Sequence, residues 1–177
     1  MTEPVLSGNT NQLIHKTHYL YPGTIFTHLE RHLVTTVLGS CISVCVWNEK
    51  MRVGGINHYL LPLWNGEGLP TPKYGNVAIE RLVEKVNRLA GGGPLIAKVF
   101  GGASMWAQGS GALAVGDRNV ELAFRTLEEL KIRVVSQDVG GGMGRKIIFD
   151  TQSGTVLLKR NPSVAMRAEM NDGKHIS

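Results

Sequence analysis

Two period-two segments on either side of a short polar turn constrain this chain more than any other feature. Between Cys41 and Trp47, the residues Ile42, Val44 and Val46 alternate with Cys41, Ser43, Cys45 and Trp47, the pattern of a half-buried strand. Val53 to Leu61 reads as a second strand, and Asn48-Glu49-Lys50-Met51-Arg52 is polar and short enough to reverse the chain between them. A turn centred between Glu49 and Lys50 sets Cys41 opposite His58. Directly opposed side chains of an antiparallel pair hold their Cβ atoms about 4.5 to 5.5 Å apart, within reach of a sulfur and an imidazole nitrogen. A slip of one residue would turn one partner to the other face.

A thiol facing an imidazole points to a cysteine hydrolase. The competing reading is that a free cysteine serves as a small buried hydrophobe. The register favours the catalytic pair for Cys41, whereas Cys45, four residues on and on the same face, reads as packing. A redox pair of the two is disfavoured, because same-face residues four apart on one strand are separated by about 13 Å. His15, His18, His28, His32 and His175 have no HxxxH or CxxC companion, so the sequence offers no metal site and calls for no cofactor.

At 177 residues and 42% hydrophobic content, the chain is long enough for one sizeable core and short for two. The expected organisation is a flexible extension over 1–16, one domain over 17–161 and a loose polar tail over 162–177. No apolar run reaches 18 residues, and two cysteines on one strand face make a poor disulfide frame, so a soluble cytoplasmic protein without membrane insertion is expected. The net charge of +5 is spread without a run of four basic residues, and aromatic content is 6%, which argues against nucleic acid and for a solvated basic face that meets an acidic protein.

Further strands are expected at Thr24–Leu29, Leu33–Leu38, Leu95–Phe100, Arg133–Gln137, Arg145–Phe149 and Thr155–Lys159. Pro62 closes the strand that carries His58, and Leu63 to Tyr74, with two glycines and two prolines, reads as a mobile connection or lid. A helix over about Asn76–Ala90 shows the stripe Ile79, Leu82, Val83, Val86, Leu89 and Ala90 and stops at Gly91-Gly92-Gly93-Pro94. A second begins near Asp117 to Asn119 and ends before Ile132. About ten strands or fragments against two helices exceed one flat sheet, so an α+β fold is expected, with two packed sheets and helices covering one face.

With these segments in view, the chain resembles the CheD family of chemoreceptor glutamine deamidases from about His18 to Arg160. Thr35-Thr36-Val37-Leu38-Gly39-Ser40-Cys41 is similar to the family's nucleophile motif, and Gly54-Gly55-Ile56-Asn57-His58-Tyr59-Leu60-Leu61-Pro62 to its histidine motif. Lys98-Val99-Phe100-Gly101-Gly102-Ala103, Gly116-Asp117-Arg118-Asn119, and Asp138-Val139-Gly140-Gly141 with Gly144-Arg145-Lys146 resemble three further blocks in the same order. The departures are at the ends and at Ala107 to Leu113.

The resemblance implies a three-layer α/β/β sandwich of two mixed sheets with two main helices on one face. It also implies a catalytic triad of Cys41, His58 and Thr35, and hydrolysis of receptor glutamines to glutamate. The substrates would be methyl-accepting chemotaxis receptors, and a CheC-type phosphatase a possible partner. A non-catalytic adaptor for that phosphatase is the alternative reading. His58 would take the thiol proton or pair with the thiolate, and Thr35 would orient the ring. The backbone N–H groups near Ser40 and Cys41, made accessible by Gly39, are the oxyanion candidates.

Overall fold

A computed structural model describes residues 15–104 and 114–162. The extension over 1–14, the Gly- and Ala-rich stretch up to Leu113 and the tail beyond Pro162 lie outside the described residues. Among the described residues nine strands and two helices follow one another: β1 Lys16–Tyr19, β2 Thr24–Thr27, β3 His32–Leu38, β4 Ile42–Asn48, β5 Val53–His58, α1 Gly75–Ala90, β6 Ile96–Gly101, α2 Val115–Glu129, β7 Arg133–Val139, β8 Gly144–Asp150 and β9 Val156–Asn161.

The strands form two mixed sheets, one of five in the order β2-β5-β4-β6-β7 and one of four in the order β1-β3-β8-β9. Pairs β1–β3 and β6–β7 are parallel and the rest antiparallel. The alternation in β4 explains the layering. Ile42, Val44 and Val46 point to the helices, where they join Ala78, Ile79, Leu82, Val86 and Leu127 in one core. Cys41 and Cys45 point the other way, into a second core with Leu20, Val34, Leu38, Ile56, Phe100, Ile147 and Phe149 between the sheets. Burying each such Leu, Ile, Val or Phe side chain contributes about 1.5–3 kcal/mol, so a central strand apolar on both faces binds the three layers together. The expected sandwich, with both helices on one face, is the fold observed.

Gly54 and Gly55 let both outer layers close on β5. A Cβ at Gly54 would lie 2.9 Å from Phe149, and one at Gly55 2.5 Å from Thr27 and 2.8 Å from Leu82. Helix α1 buries Ile79, Leu82, Val83, Val86 and Ala90 of the expected stripe, leaves Leu89 half-buried, and ends at Gly91, which takes the left-handed conformation at φ 70° and bonds its N–H to the Asn87 carbonyl.

Some expectations need correction. The β4–β5 register pairs Asn48 with Val53 and Cys45 with Ile56, and an isolated bridge pairs Ile42 with Tyr59. Extended by one residue, this sets Cys41 opposite Leu60 and His58 opposite Ser43. The loop is Glu49 to Arg52, held by the Asn48 side chain accepting the Met51 N–H at 2.8 Å, with Arg52 at φ 54°. It therefore centres one residue later than expected, and the pairing shifts by two. A shift of two preserves the face, so Cys41 and His58 remain on one side of the sheet as diagonal neighbours rather than direct partners.

Strand β5 stops at His58, not Leu61, because the N–H groups of Leu60 and Leu61 both turn to the Lys73 carbonyl. The same bonds tie down the base of the 63–74 loop, and Trp64 is fixed within it by bonds to Asn76 and Glu67. Strand β1 begins at Lys16, where an extension was expected to end; all four of its residues are exposed, so it carries no apolar pattern.

Candidate active site

The site lies at one end of the gap between the sheets, where β3 gives way to β4. His58 is 2% exposed. Across the gap, Thr36 Oγ1 stands 2.8 Å from His58 Nδ1, and the same hydroxyl donates to the Leu20 carbonyl at 2.8 Å. A hydroxyl has one proton, and the carbonyl takes it. The oxygen therefore accepts from the ring, which puts the imidazole proton on Nδ1 and the lone pair on Nε2. Among the described residues Nε2 has no hydrogen-bond partner.

The side chain that reaches His58 is thus Thr36 and not Thr35. In β3, Val34, Thr36 and Leu38 are buried toward the other sheet, whereas Thr35 alternates to the outer face, paired in register with Tyr19 and Ile148. Two adjacent threonines in the motif carry equal chemistry, and only the strand's facing separates them. The Leu20 carbonyl, the end of this relay, has no signal in the sequence.

Cys41 is half-buried and packs against the inter-sheet core. The loop that presents it is held by its carbonyls. Gly39 O accepts from Ala103 N at 2.8 Å, Cys41 O from Gly102 N at 2.8 Å, and Ser40 O from the Asn119 amide at 2.9 Å. Neither the Ser40 nor the Cys41 N–H bonds another residue among the described residues, and the Cys41 N–H lies against its own thiol. Gly101, at φ 109°, lies where a Cβ would collide with the Cys41 carbonyl oxygen, which explains the glycine pair at the end of β6 as close packing against the loop that carries Cys41.

Burial acts on both groups and favours their neutral forms. It pushes the Cys41 thiol above its ordinary value, with a smaller opposing contribution from its own backbone N–H, and lowers His58 to about 4. The sequence reading had His58 assist Cys41 either by taking its proton or by pairing with its thiolate. The resting state is a neutral thiol and a neutral imidazole on one sheet face, with no hydrogen bond between them among the described residues. Cys45 is fully buried and its thiol is pushed far up, as suits packing.

The third glycine block closes the rim. Arg145, 4% exposed, donates to Asp138 at 2.9 Å and to the carbonyls of Met143 and Gly140 at 2.9 and 2.7 Å. Arg160 binds the other Asp138 oxygen at 3.0 and 2.6 Å. Burial raises the Asp138 carboxyl, but hydrogen bonds from Arg160 and Arg145 outweigh it and hold the group below its usual range. This staple joins β7 of one sheet to β8 and β9 of the other and shapes the 140–144 loop, whose Gly140 N–H and Gly141 carbonyl bond to Gly101 and Ser104 at 2.9 and 2.8 Å.

A family profile described as "CheD chemotactic sensory transduction" matches residues 60–160. A protein named probable chemoreceptor glutamine deamidase CheD from Trichlorobacter lovleyi is 52% identical over 144 residues, covering 81% of this chain and 89% of that protein. The chain belongs to the CheD family. A protein of the same name from Sulfurimonas denitrificans and one named probable chemoreceptor glutamine deamidase CheD 1 from Anaeromyxobacter dehalogenans are 42% and 46% identical over 143 residues, each covering 80% of this chain, and 92% and 83% of their own lengths. Among the described residues of this CheD-family chain, no group of three or more His, Cys, Asp or Glu is placed to hold a metal, and no helix is long and apolar enough to cross a membrane.

Proposed function

We propose that this chain is a glutamine deamidase of chemoreceptors, converting glutamine side chains to glutamate and ammonia through Cys41. The observation that carries the reading is the relay Leu20–Thr36–His58, which leaves an imidazole lone pair on the sheet face that also presents Cys41. The names of the relatives support the substrate class.

The steps follow from the proton inventory. His58 Nε2 takes the Cys41 proton as sulfur attacks the carboxamide carbon, and a C–S bond forms with negative charge on oxygen. The N–H groups of Ser40 and Cys41, in the turn opened by Gly39, are the donors proposed for that oxyanion. The imidazolium protonates the amide nitrogen, the C–N bond breaks, and ammonia leaves a thioester. His58 then removes a proton from water as its oxygen bonds to the thioester carbon, the C–S bond breaks as that intermediate collapses, and the imidazolium returns the proton to the leaving sulfur, releasing glutamate and the thiol. Thr36 keeps Nδ1 protonated throughout, the orienting part that Thr35 was expected to play.

Incubation of purified receptor with this protein, followed by peptide mass mapping, tests the reading. Glutamine-to-glutamate conversion with wild type and none with Cys41→Ala is expected; equal conversion by both would overturn it. A cytoplasmic location is part of the same proposal, as is a CheC-type phosphatase docking on this chain, both from the family resemblance. Cys41→Ala should retain that partner in a pull-down, because removing one small side chain leaves most of an interface of about 800 Å² per partner intact. Loss of binding with normal circular dichroism would mean the partner occupies the catalytic cleft.

A further inference from the structure

Where the pairing of β4 and β5 gives out, a side chain from a third element replaces it. Ile42 and Tyr59 exchange two backbone hydrogen bonds, at 3.1 and 3.0 Å. Beyond them the two chains part, and Asn119 from the second turn of α2 occupies the fork. Its Nδ2 donates to Ser40 O at 2.9 Å and to Leu60 O at 2.9 Å. Ser40 precedes the nucleophile and Leu60 lies two residues past His58. The Asn119 backbone carbonyl in turn accepts the Tyr59 hydroxyl at 2.6 Å, and the residue is fully buried.

We propose that Asn119 is the positioning residue that sets the nucleophile loop against the histidine strand. The inference rests on the reading of Cys41 and His58 as the reacting pair. A primary amide suits the fork because one planar nitrogen carries two N–H bonds, one for each diverging carbonyl. Aspartate has the same shape and would turn acceptor oxygens on two carbonyls. Serine would supply one donor. The amide is held for its donors: Asn119 Oδ1 is buried without a partner among the described residues.

The helix end is seated to match. Gly116, one turn before Asn119, lies where a Cβ would be 2.7 Å from the carbonyl oxygens of both Gly102 and Ala103. The N–H groups of those two residues hold Cys41 O and Gly39 O. All three carbonyls of Gly39-Ser40-Cys41 are therefore fixed from α2 or from the backbone against which α2 packs.

The test uses the full chain with Asn119→Ala, Asn119→Ser and Asn119→Asp. Deamidation of receptor, iodoacetamide labelling of Cys41 and thermal unfolding are followed in parallel. The expected result for Asn119→Ala is a fall in kcat of ten-fold or more with KM within about two-fold, in protein whose circular dichroism matches wild type. Asn119→Ser should lose less than Asn119→Ala, and Asn119→Asp at least as much. The Cys41 labelling rate should change in the same order.

A lowered melting temperature with unchanged kcat and labelling rate in the folded protein would overturn the positioning role. So would Asn119→Asp with wild-type kinetics. If Asn119→Ala does not fold, Asn119→Ser decides on the same readouts. If wild type deamidates no receptor while the labelling order holds, the assigned reaction fails and the positioning of Cys41 stands.

Discussion

Thr36 Oγ1 lies 2.8 Å from Nδ1 of His58, across the gap between the two sheets. The contact makes the orientation of the imidazole depend on how the four-stranded sheet is docked, because Thr36 belongs to one sheet and His58 to the other. A base whose third group sits on a separate layer is formed only when the layers are assembled.

Thr36→Val should therefore lower kcat/KM roughly ten-fold, about 1.4 kcal/mol of barrier, while Thr35→Val stays within two-fold of wild type. Valine keeps the volume and removes the acceptor, leaving the Nδ1 proton buried without a partner. Steady-state ammonia release from the two variants checks this. The reverse ranking would mean that the outward-facing threonine is the orienter.

The sandwich was legible because the strands outnumber what one flat sheet holds and α1 carries an apolar stripe, although β4, read as half-buried, is buried on both faces. Cys41 and His58 were legible on one face through parity alone, which survived the error in register. What the sequence did not carry were relations that depend on how separate layers dock. Thr35 and Thr36 are chemically alike, and choosing between them requires knowing which side of β3 meets the other sheet. Asn119 and Asp138 sat in motifs with no legible role, because their partners lie 79 residues away at Ser40 and 22 away at Arg160. Strand β1 has no apolar alternation to find, since backbone pairing to β3 holds it.

Cys41→Ala should abolish deamidation and keep the fold, whereas Cys45→Ala should keep most of the activity and lose stability. Cys45 is 1% exposed between the sheets, so truncation leaves a small cavity, at a cost of about 1–2 kcal/mol. Ammonia release and urea unfolding of both variants give the comparison. Wild-type stability in Cys45→Ala would show that this part of the core closes around the gap.

Gly101→Ala should be far more damaging than its size suggests. The residue sits at φ 109°, and a methyl group there meets the carbonyl of Cys41. Strain of about 1–3 kcal/mol from the backbone adds to the displacement of Cys41. Activity should fall more than ten-fold even where the folded fraction, measured by circular dichroism, stays high. Gly91→Ala, at φ 70° but with open space around it, should cost about 1 kcal/mol of stability and leave kcat alone.

Two pH profiles follow from the buried pair. Burial holds His58 at about 4 in the folded chain against 6.5 for the free group. A depressed folded value means that the unfolded chain binds more protons between those limits, so stability present above pH 6.5 is lost as pH falls toward 4, by up to about 3 kcal/mol. Urea unfolding at intervals from pH 7.5 to 4.5 should show this slope in wild type and lose it in His58→Gln. Asp138 and Asp150, also depressed in the folded chain, titrate at the acid end of the range or below it and remain in both proteins. Activity should follow the same group: the acid limb of kcat/KM should lie near 4 rather than 6.5, because the base works only when neutral. Iodoacetamide labelling of Cys41 should require more alkaline pH than a free thiol, since burial raises it. An acid limb near 6.5 together with labelling that is complete at pH 7 would mean that the resting pair is a thiolate and an imidazolium, and that the neutral-pair mechanism is wrong.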